Sequence, residues 1–360
     1  MTRYLLAGGG TAGHVNPLLA VADRLRERDP GAVVRVLGTA EGLEARLVPA
    51  RGYQLLTVER LPFPRRPDRA AGRFPLRFRR LVAHIRALLV EHDIDVVVGF
   101  GGYVSAPAYL AARAEGLPVV VHEANARPGI ANRLGSTVSS FVGVAFEGTR
   151  LRGARFVGMP LRPEIERLDR PAARGEAVRF FGLAADRLTL LVTGGSLGAR
   201  RINQTLLDSA ALVLGAGWQI LHIVGERSEL SYPDLPGYRV LPYCDRMDLA
   251  LAAADLAVAR AGASTVSELT ALAIPAVYVP LAIGNGEQRL NARDALGAGA
   301  AISVDNEDFT PEWVADRLLP LLQNRAELAA MAAQAAAIGV RDGADRVVAL
   351  IDEATAGRVA

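Results

Sequence analysis

Two glycine-rich turns hold the residues best suited to chemistry. The first runs Gly8-Gly9-Gly10-Thr11-Ala12-Gly13-His14 and follows the apolar run Tyr4-Leu5-Leu6-Ala7. Glycines there let backbone N–H groups approach an anion at a helix N-terminus, and the spacing formally matches a dinucleotide fingerprint. The acid such a fingerprint wants at the end of the next strand is represented only by Glu41, which comes late. His14 closes the turn as either a proton acceptor near neutral pH or an imidazole that only satisfies backbone groups in a tight turn. The second turn, Gly194-Gly195-Ser196-Leu197-Gly198-Ala199-Arg200, can cradle a phosphate in the same way, with Ser196 as a ligand or an ordinary N-cap.

Further on, Arg260 to Leu269 reads as a strand end, a small-residue turn and a helix start. Thr265 and Glu268 fit a capping box, yet a carboxylate there is equally suited to a pair of sugar hydroxyls. The polar stretch around Gln288 is rich in amides that suit hydroxyl recognition, as many surface loops are. Between Leu61 and Arg86 eight arginines face a single acid, Asp68, interleaved with Phe63, Phe74, Leu76, Phe78 and Leu81. That mixture suits an anionic membrane surface, with a solvated helix face over a core side as the alternative. The basic signal is confined to this stretch, which argues against nucleic acid.

These turns need strands to deliver them. Short β-branched runs at 32–37, 95–98 and 118–121 alternate with helical patterns at 41–49 and 105–115, and the alternation starts afresh with runs at 188–192, 219–224, 256–259, 276–279 and 301–304. Such alternation predicts parallel βαβ units, and 360 residues exceed a usual single core. Two α/β domains follow, joined near 158–162, with an Ala-rich helical tail from Leu328 that breaks near 339–343. Ligands settle at the carboxyl ends of strands in such sheets, so the two turns are expected to share a cleft.

Composition narrows the class. Hydrophobic residues make up 51% and charged residues 22%, with a net charge of +3, as in a folded rather than a disordered chain. Cys244 is the sole cysteine, which excludes an intramolecular disulfide and a cysteine-built metal site and fits a reducing compartment. The N-terminus turns glycine-rich before a signal-peptide core can form, and no apolar run approaches the ~18 residues of a membrane span. The expected location is cytoplasmic, touching a membrane only peripherally.

Six motifs in order now carry a family resemblance: Gly9 to His14, Gly99-Phe100-Gly101-Gly102-Tyr103, His122-Glu123-Ala124-Asn125, Gly194 to Ala199, Ala263 to Glu268, and Gln288. Together, from about Tyr4 to about Arg341, they resemble the MurG family, bacterial enzymes that move N-acetylglucosamine from UDP-N-acetylglucosamine onto lipid I, making lipid II for peptidoglycan. The resemblance implies an α/β GT-B glycosyltransferase fold, two Rossmann-like domains facing a central cleft. Residues 1–160 would form the acceptor and membrane-associating domain, 161–340 the UDP-sugar domain, and 341–360 a helix packing back towards the first.

By position, the family's donor contacts carry over to Thr11, Ala12, Gly13, Asn125, Arg162, Ser196, the run Ala263, Ser264, Thr265, Val266, Ser267 and Glu268, and to Gln288. Glu268 would bind ribose hydroxyls, Gln288 the donor sugar, and Arg162 with helix N-termini the diphosphate. The implied reaction inverts the anomeric centre as the 4-hydroxyl of N-acetylmuramic acid attacks and UDP leaves. It needs a base, His14 first and Glu123 second, and neither metal nor cofactor. Phe63, Arg65, Arg66, Phe74, Arg77, Phe78 and Arg80 would face the inner membrane surface, placing the enzyme on the cytoplasmic face of the cell membrane.

The chain departs from the family at Leu197 and Ala124, where glutamine is common, and at Cys244, where an aliphatic residue is. Those departures keep two alternatives in play: a GT-B enzyme acting on another lipid or natural-product acceptor, and a non-catalytic UDP-sugar-binding paralogue.

Overall fold

A computed structural model describes residues 1–64, 69–195, 198–281 and 286–356; of Arg69 and Ala70 only the helical backbone is described. The chain divides into two compact units, 1–162 with 341–360, and 163–340.

The first unit is a seven-stranded parallel sheet. Its strands are β1 (Arg3–Ala7), β2 (Val33–Gly38), β3 (Gln54–Thr57), β4 (Val96–Gly99), β5 (Val119–Glu123), β6 (Phe141–Val144) and β7 (Ala154–Phe156). They lie in the order β3-β2-β1-β4-β5-β6-β7, so the chain reverses its direction of winding between β1 and β4. Strands buried on both faces need continuous apolar runs, and β4 and β5 (VVVG, VVVHE) are buried throughout. Helices α1 (Ala12–Arg28), α2 (Glu44–Ala50), α3 (Arg69–Glu91), α4 (Ser105–Ala114) and α5 (Ile130–Val138) connect them. One apolar cluster gathers Leu6, Leu18, Val36 and Val98, and a second gathers Leu5, Leu37, Ile85, Val97 and Tyr109, so neighbours along one strand feed opposite faces.

The second unit repeats the plan. Its strands β8 (Thr189–Thr193), β9 (Gln219–Ile223), β10 (Tyr238–Leu241), β11 (Leu256–Ala259), β12 (Ala276–Tyr278) and β13 (Ala301–Ser303) form a parallel sheet in the order β10-β9-β8-β11-β12-β13. Its core gathers Leu190, Val192, Ile202, Val258, Phe309 and Leu318. The helices used below are α6 (Arg200–Asp208), α7 (Ala263–Ala271), α8 (Glu287–Asn291) and α9 (Arg325–Ile338).

The chain then returns to the first unit as α10 (Gly343–Ala356), which packs on α1 and pairs with it: Arg28 donates to both carboxylate oxygens of Asp352 at 2.6 and 2.7 Å. The break ahead of α10 has a steric cause. A Cβ at Gly339 would stand 2.4 Å from the Thr270 carbonyl oxygen, and one at Gly343 2.4 Å from that of Met159. Each glycine turn therefore follows the strand beside which its sheet changes winding direction, β1 in one unit and β8 in the other, where open α/β sheets hold ligands.

Candidate active site

In the first unit β1 delivers the chain into Gly8-Gly9-Gly10, with Gly10 at φ 87°, and α1 begins at Ala12 behind an extended Thr11 that makes no side-chain cap. Ala12 and Gly13 thus occupy the first turn, whose N–H groups find no acceptor inside a helix and favour an anion. His14, half-buried, turns Nδ1 towards the Gly9 carbonyl oxygen at 3.1 Å, with Thr11 Oγ1 at 3.2 Å. A carbonyl can only accept, so Nδ1 carries the proton and Nε2 of the neutral ring keeps its lone pair.

The turn after β4 leaves room for this ring. Gly101 lies at φ 95°, and a Cβ there would come within 3.1 Å of both Cδ2 and Nε2 of His14. A Cβ at Gly102, at φ 84°, would stand 2.7 Å from the Gly9 carbonyl oxygen. Ser105 ties the two turns, donating within reach of the Ala7 oxygen at 2.9 Å and the Gly101 oxygen at 2.7 Å while accepting from Gly101 N–H at 3.1 Å.

Glu123, at the end of β5, is only 2% exposed and accepts from three donors: Asn125 N–H at 2.8 Å, Gly129 N–H at 3.0 Å and Asn132 Nδ2 at 2.9 Å. Tyr109 in turn donates to Asn132 Oδ1 at 2.7 Å. That carboxylate organises the loop carrying half-buried Asn125. Its neighbour His122 is fully buried, donates from Nε2 to the Gly158 oxygen at 3.1 Å, and has no partner for Nδ1 among the described residues. Burial lowers its pKa to about 4, so it is neutral. Arg162 lies half-buried at the end of this unit.

One residue of this site escapes the sequence reading. Glu44, in the first turn of α2 and 1% exposed, accepts from Gly10 N–H at 2.8 Å, Thr39 N–H at 2.9 Å and Thr39 Oγ1 at 2.8 Å. A Cβ on Gly9, Gly38 or Gly42 would fall within 2.5 Å of its side chain. Three glycines converging on one acid are visible in the sequence, but only folding brings them together.

In the second unit β8 runs into Gly194 and Gly195, the latter at φ 86°. Ser196 and Leu197 lie outside the described residues. Gly198, at φ 77°, passes so close to β9 that a Cβ would stand 2.2 Å from the Val224 oxygen. A pocket of about 270 Å³ opens beside the start of α6, lined among others by Gly198, Arg200, Asn203, Arg227 and Ser228. Arg200 at the helix start and Arg227 after β9 favour an anion in that corner, where Glu229 also lines the pocket. Asn203 is locked by donating to the Val224 oxygen at 2.8 Å and by His222 Nε2 at 3.2 Å.

The helix after β11 corrects the capping-box reading. Its N-cap is Gly262, in extended conformation, and Ala263 is already helical, so Thr265 lies inside the first turn and cannot cap. Ser264, Thr265, Ser267 and Glu268 are half-buried, while Ala263 and Val266 face the core. Gln288, half-buried in α8, accepts Leu281 N–H at 2.8 Å through Oε1, which leaves its NH2 as the donor end. Arg260, at the end of β11, donates to the Val279 oxygen at 2.9 Å, and burial lowers its pKa.

The aromatic rings of Phe63, before α3, and of Phe74 and Phe78 on it cluster together and are partly covered. Phe63, Phe74 and Phe78 are half-buried with centroids 5.5 to 6.3 Å apart, and Phe74 and Phe78 also pack on the core. Arg77 is half-buried and pairs with Glu59. The exposed face instead offers Leu76, 57% exposed, with Arg73, Arg79 and Arg80. Arg65 and Arg66 lie outside the described residues. Among the described residues no helix is long and apolar enough to cross a membrane.

Comparison with known proteins agrees across the whole chain. Residues 4–143 match the glycosyltransferase family 28 N-terminal domain and residues 189–347 its C-terminal domain. The chain is 68% identical over 351 residues to the UDP-N-acetylglucosamine–N-acetylmuramyl-(pentapeptide) pyrophosphoryl-undecaprenol N-acetylglucosamine transferase of Leifsonia xyli subsp. xyli, covering 98% of each. It is 50% identical to the enzyme of that name from Streptomyces coelicolor, covering 99% of each. Among solved structures it is similar to Acinetobacter baumannii MurG, with a TM-score of 0.80, 31% identity, and 98% and 100% of the two chains covered. The calicheamicin glycosyltransferase CalG4, at 19% identity with both chains wholly covered and a TM-score of 0.68, shares the fold.

Proposed function

We propose, from the premise that this chain belongs to glycosyltransferase family 28 and within it to the MurG transferases, that it moves N-acetylglucosamine from UDP-N-acetylglucosamine to undecaprenyl-linked lipid I and so makes lipid II. It is a GT-B hexosyltransferase of peptidoglycan synthesis. The observation that carries the chemistry is the Nδ1–Gly9 bond of His14, which leaves the Nε2 lone pair beside Gly101 in the turn after β4.

His14 is the base in this reading. Nε2 takes the proton of the 4-hydroxyl of N-acetylmuramic acid as the oxygen attacks the anomeric carbon from the face opposite UDP, so the configuration inverts. Glu123 already accepts three hydrogen bonds and serves to hold the loop of Asn125. UDP leaves with its charge offset by N–H groups at helix starts, Ser196 and Arg162. Thr11, Ala12, Gly13 and Asn125 contact the donor from the first unit. Glu268 accepts from the ribose hydroxyls, Ala263 to Ser267 line the donor, and the Gln288 NH2 donates to a sugar hydroxyl.

Residues 1–160 take the acceptor and 161–340 the UDP-sugar. The first unit docks on the cytoplasmic face of the cell membrane, where Leu76 enters the interface and Arg73, Arg79 and Arg80 meet anionic headgroups at about 1 kcal/mol each. The reading is tested by mass analysis of the lipid product after incubation with a short-chain lipid I analogue. One added N-acetylhexosamine, released by a β-specific hexosaminidase, supports it; an unmodified analogue alongside turnover on another lipid acceptor moves the acceptor elsewhere.

A further inference from the structure

His14 and Glu44 hold the two ends of one peptide group. The Gly9 carbonyl accepts Nδ1–H of His14 at 3.1 Å, and the N–H of the same Gly9–Gly10 unit donates to Glu44 Oε2 at 2.8 Å. In a trans peptide the C=O and N–H lie in one conjugated plane and point in opposite directions. A carboxylate on the N–H side pushes electron density towards the oxygen, and hydrogen bonds linked in this way strengthen one another by about 10–30% each.

We propose that Glu44 is a positioning residue for the reaction, fixing the Nδ1–H tautomer of His14 and raising the basicity of Nε2 through the Gly9–Gly10 peptide. The inference rests on His14 being the base. Glu44 is built for a fixed charge: burial alone would raise its carboxyl, but the donors at Gly10 and Thr39 outweigh burial and hold it below the usual carboxylate range. Other charged and titratable groups surround the turn. Glu41, Arg60 and Tyr103 line a pocket of about 80 Å³ with Gly9 and Gly10, and Arg60 lies over the Tyr103 ring at 5.6 Å. On the other side Asn132, which bonds Glu123 and Tyr109, lies beside Gly101 as the His14 ring does. Of these, Glu44 is the group hydrogen-bonded to the peptide that His14 uses.

Glu44→Gln and Glu44→Asp in the full chain test this, read by kcat against pH, donor KM, melting temperature and ¹⁵N NMR of the His14 ring, assigned with His14→Ala. For Glu44→Gln we expect kcat to fall about tenfold with donor KM within about twofold, the acid limb of the kcat profile to move to lower pH, and the Nδ1–H tautomer to lose population. Glu44→Asp, which keeps the charge, should recover part of each, and it carries the test if the amide variant does not fold. A folded Glu44→Gln with the wild-type acid limb and tautomer overturns the proposal, whatever its melting temperature, and leaves Glu44 a prop for the turn. Should His14→Ala keep wild-type turnover, the base reading falls instead, while the ring NMR still reports whether Glu44 controls the tautomer.

Discussion

Nδ1 of His14 stands 3.1 Å from the carbonyl oxygen of Gly9, five residues earlier in the chain, so the backbone of the glycine turn selects which ring nitrogen stays basic. Replacing His14 with alanine should lower kcat by about 10²–10⁴-fold while donor affinity by calorimetry stays close to wild type. Unchanged turnover would remove His14 from the base role.

Glu268 should act on the donor and not on the fold. Because α7 is capped at Gly262, Glu268→Ala removes no helix cap, and the fall in UDP affinity should exceed any fall in stability. Loss of a charge-assisted pair of hydrogen bonds to ribose, about 1.5–3 kcal/mol, corresponds to roughly 10–100-fold weaker UDP binding. Calorimetry with UDP and a thermal scan separate the two effects.

Acid should destabilise the chain through its two buried histidines. Burial lowers His122 to about 4 and His222 to about 3, below the value of about 6.5 expected in an unfolded chain. The unfolded state therefore binds more protons as pH falls below about 6.5, and stability is lost progressively towards pH 4 and below. The shift at His122 is equivalent to about 3 kcal/mol at full effect. Urea midpoints at pH 7.5 and pH 5 should differ in that direction, and His222→Gln should flatten the dependence of the second unit.

Membrane docking should depend on the exposed side of α3. Leu76→Asp combined with Arg80→Glu is expected to reduce co-sedimentation with vesicles rich in anionic lipid by about tenfold or more, while activity on a water-soluble acceptor analogue persists. Substituting Phe74 should instead lower stability, because its ring packs on the core. Equal vesicle binding by the double variant would locate docking elsewhere.

Much of the fold was legible from local patterns. The β-branched runs chosen as strands all appear within a residue or two, because strands buried on both faces must be apolar throughout. The strands absent from that pattern, β3, β6, β7 and β10, are three or four residues long, and β6 is interrupted by Gly143. Short strands near a sheet margin carry too little periodicity to announce themselves.

The glycine turn of the candidate site is legible because it falls in one stretch, Gly8 to His14, between a strand and a helix start. Glu44 carries no local signal because its partners at Gly10 and Thr39 come from two different loops, whereas Glu41 stands nearer the spacing a dinucleotide fingerprint wants. Thr265 differs for the opposite reason: a capping box is a local signal, and the helix begins three residues earlier, with Gly262 as its N-cap.

The most direct test of the whole account is UDP release from UDP-N-acetylglucosamine by the purified chain, with and without a short-chain lipid I analogue. We predict release that requires the analogue and saturates with it, which would also show that Leu197 in the phosphate turn is compatible with turnover. Donor binding by calorimetry with no analogue-dependent release would contradict the account and leave a nucleotide-sugar-binding protein that does not perform the transfer.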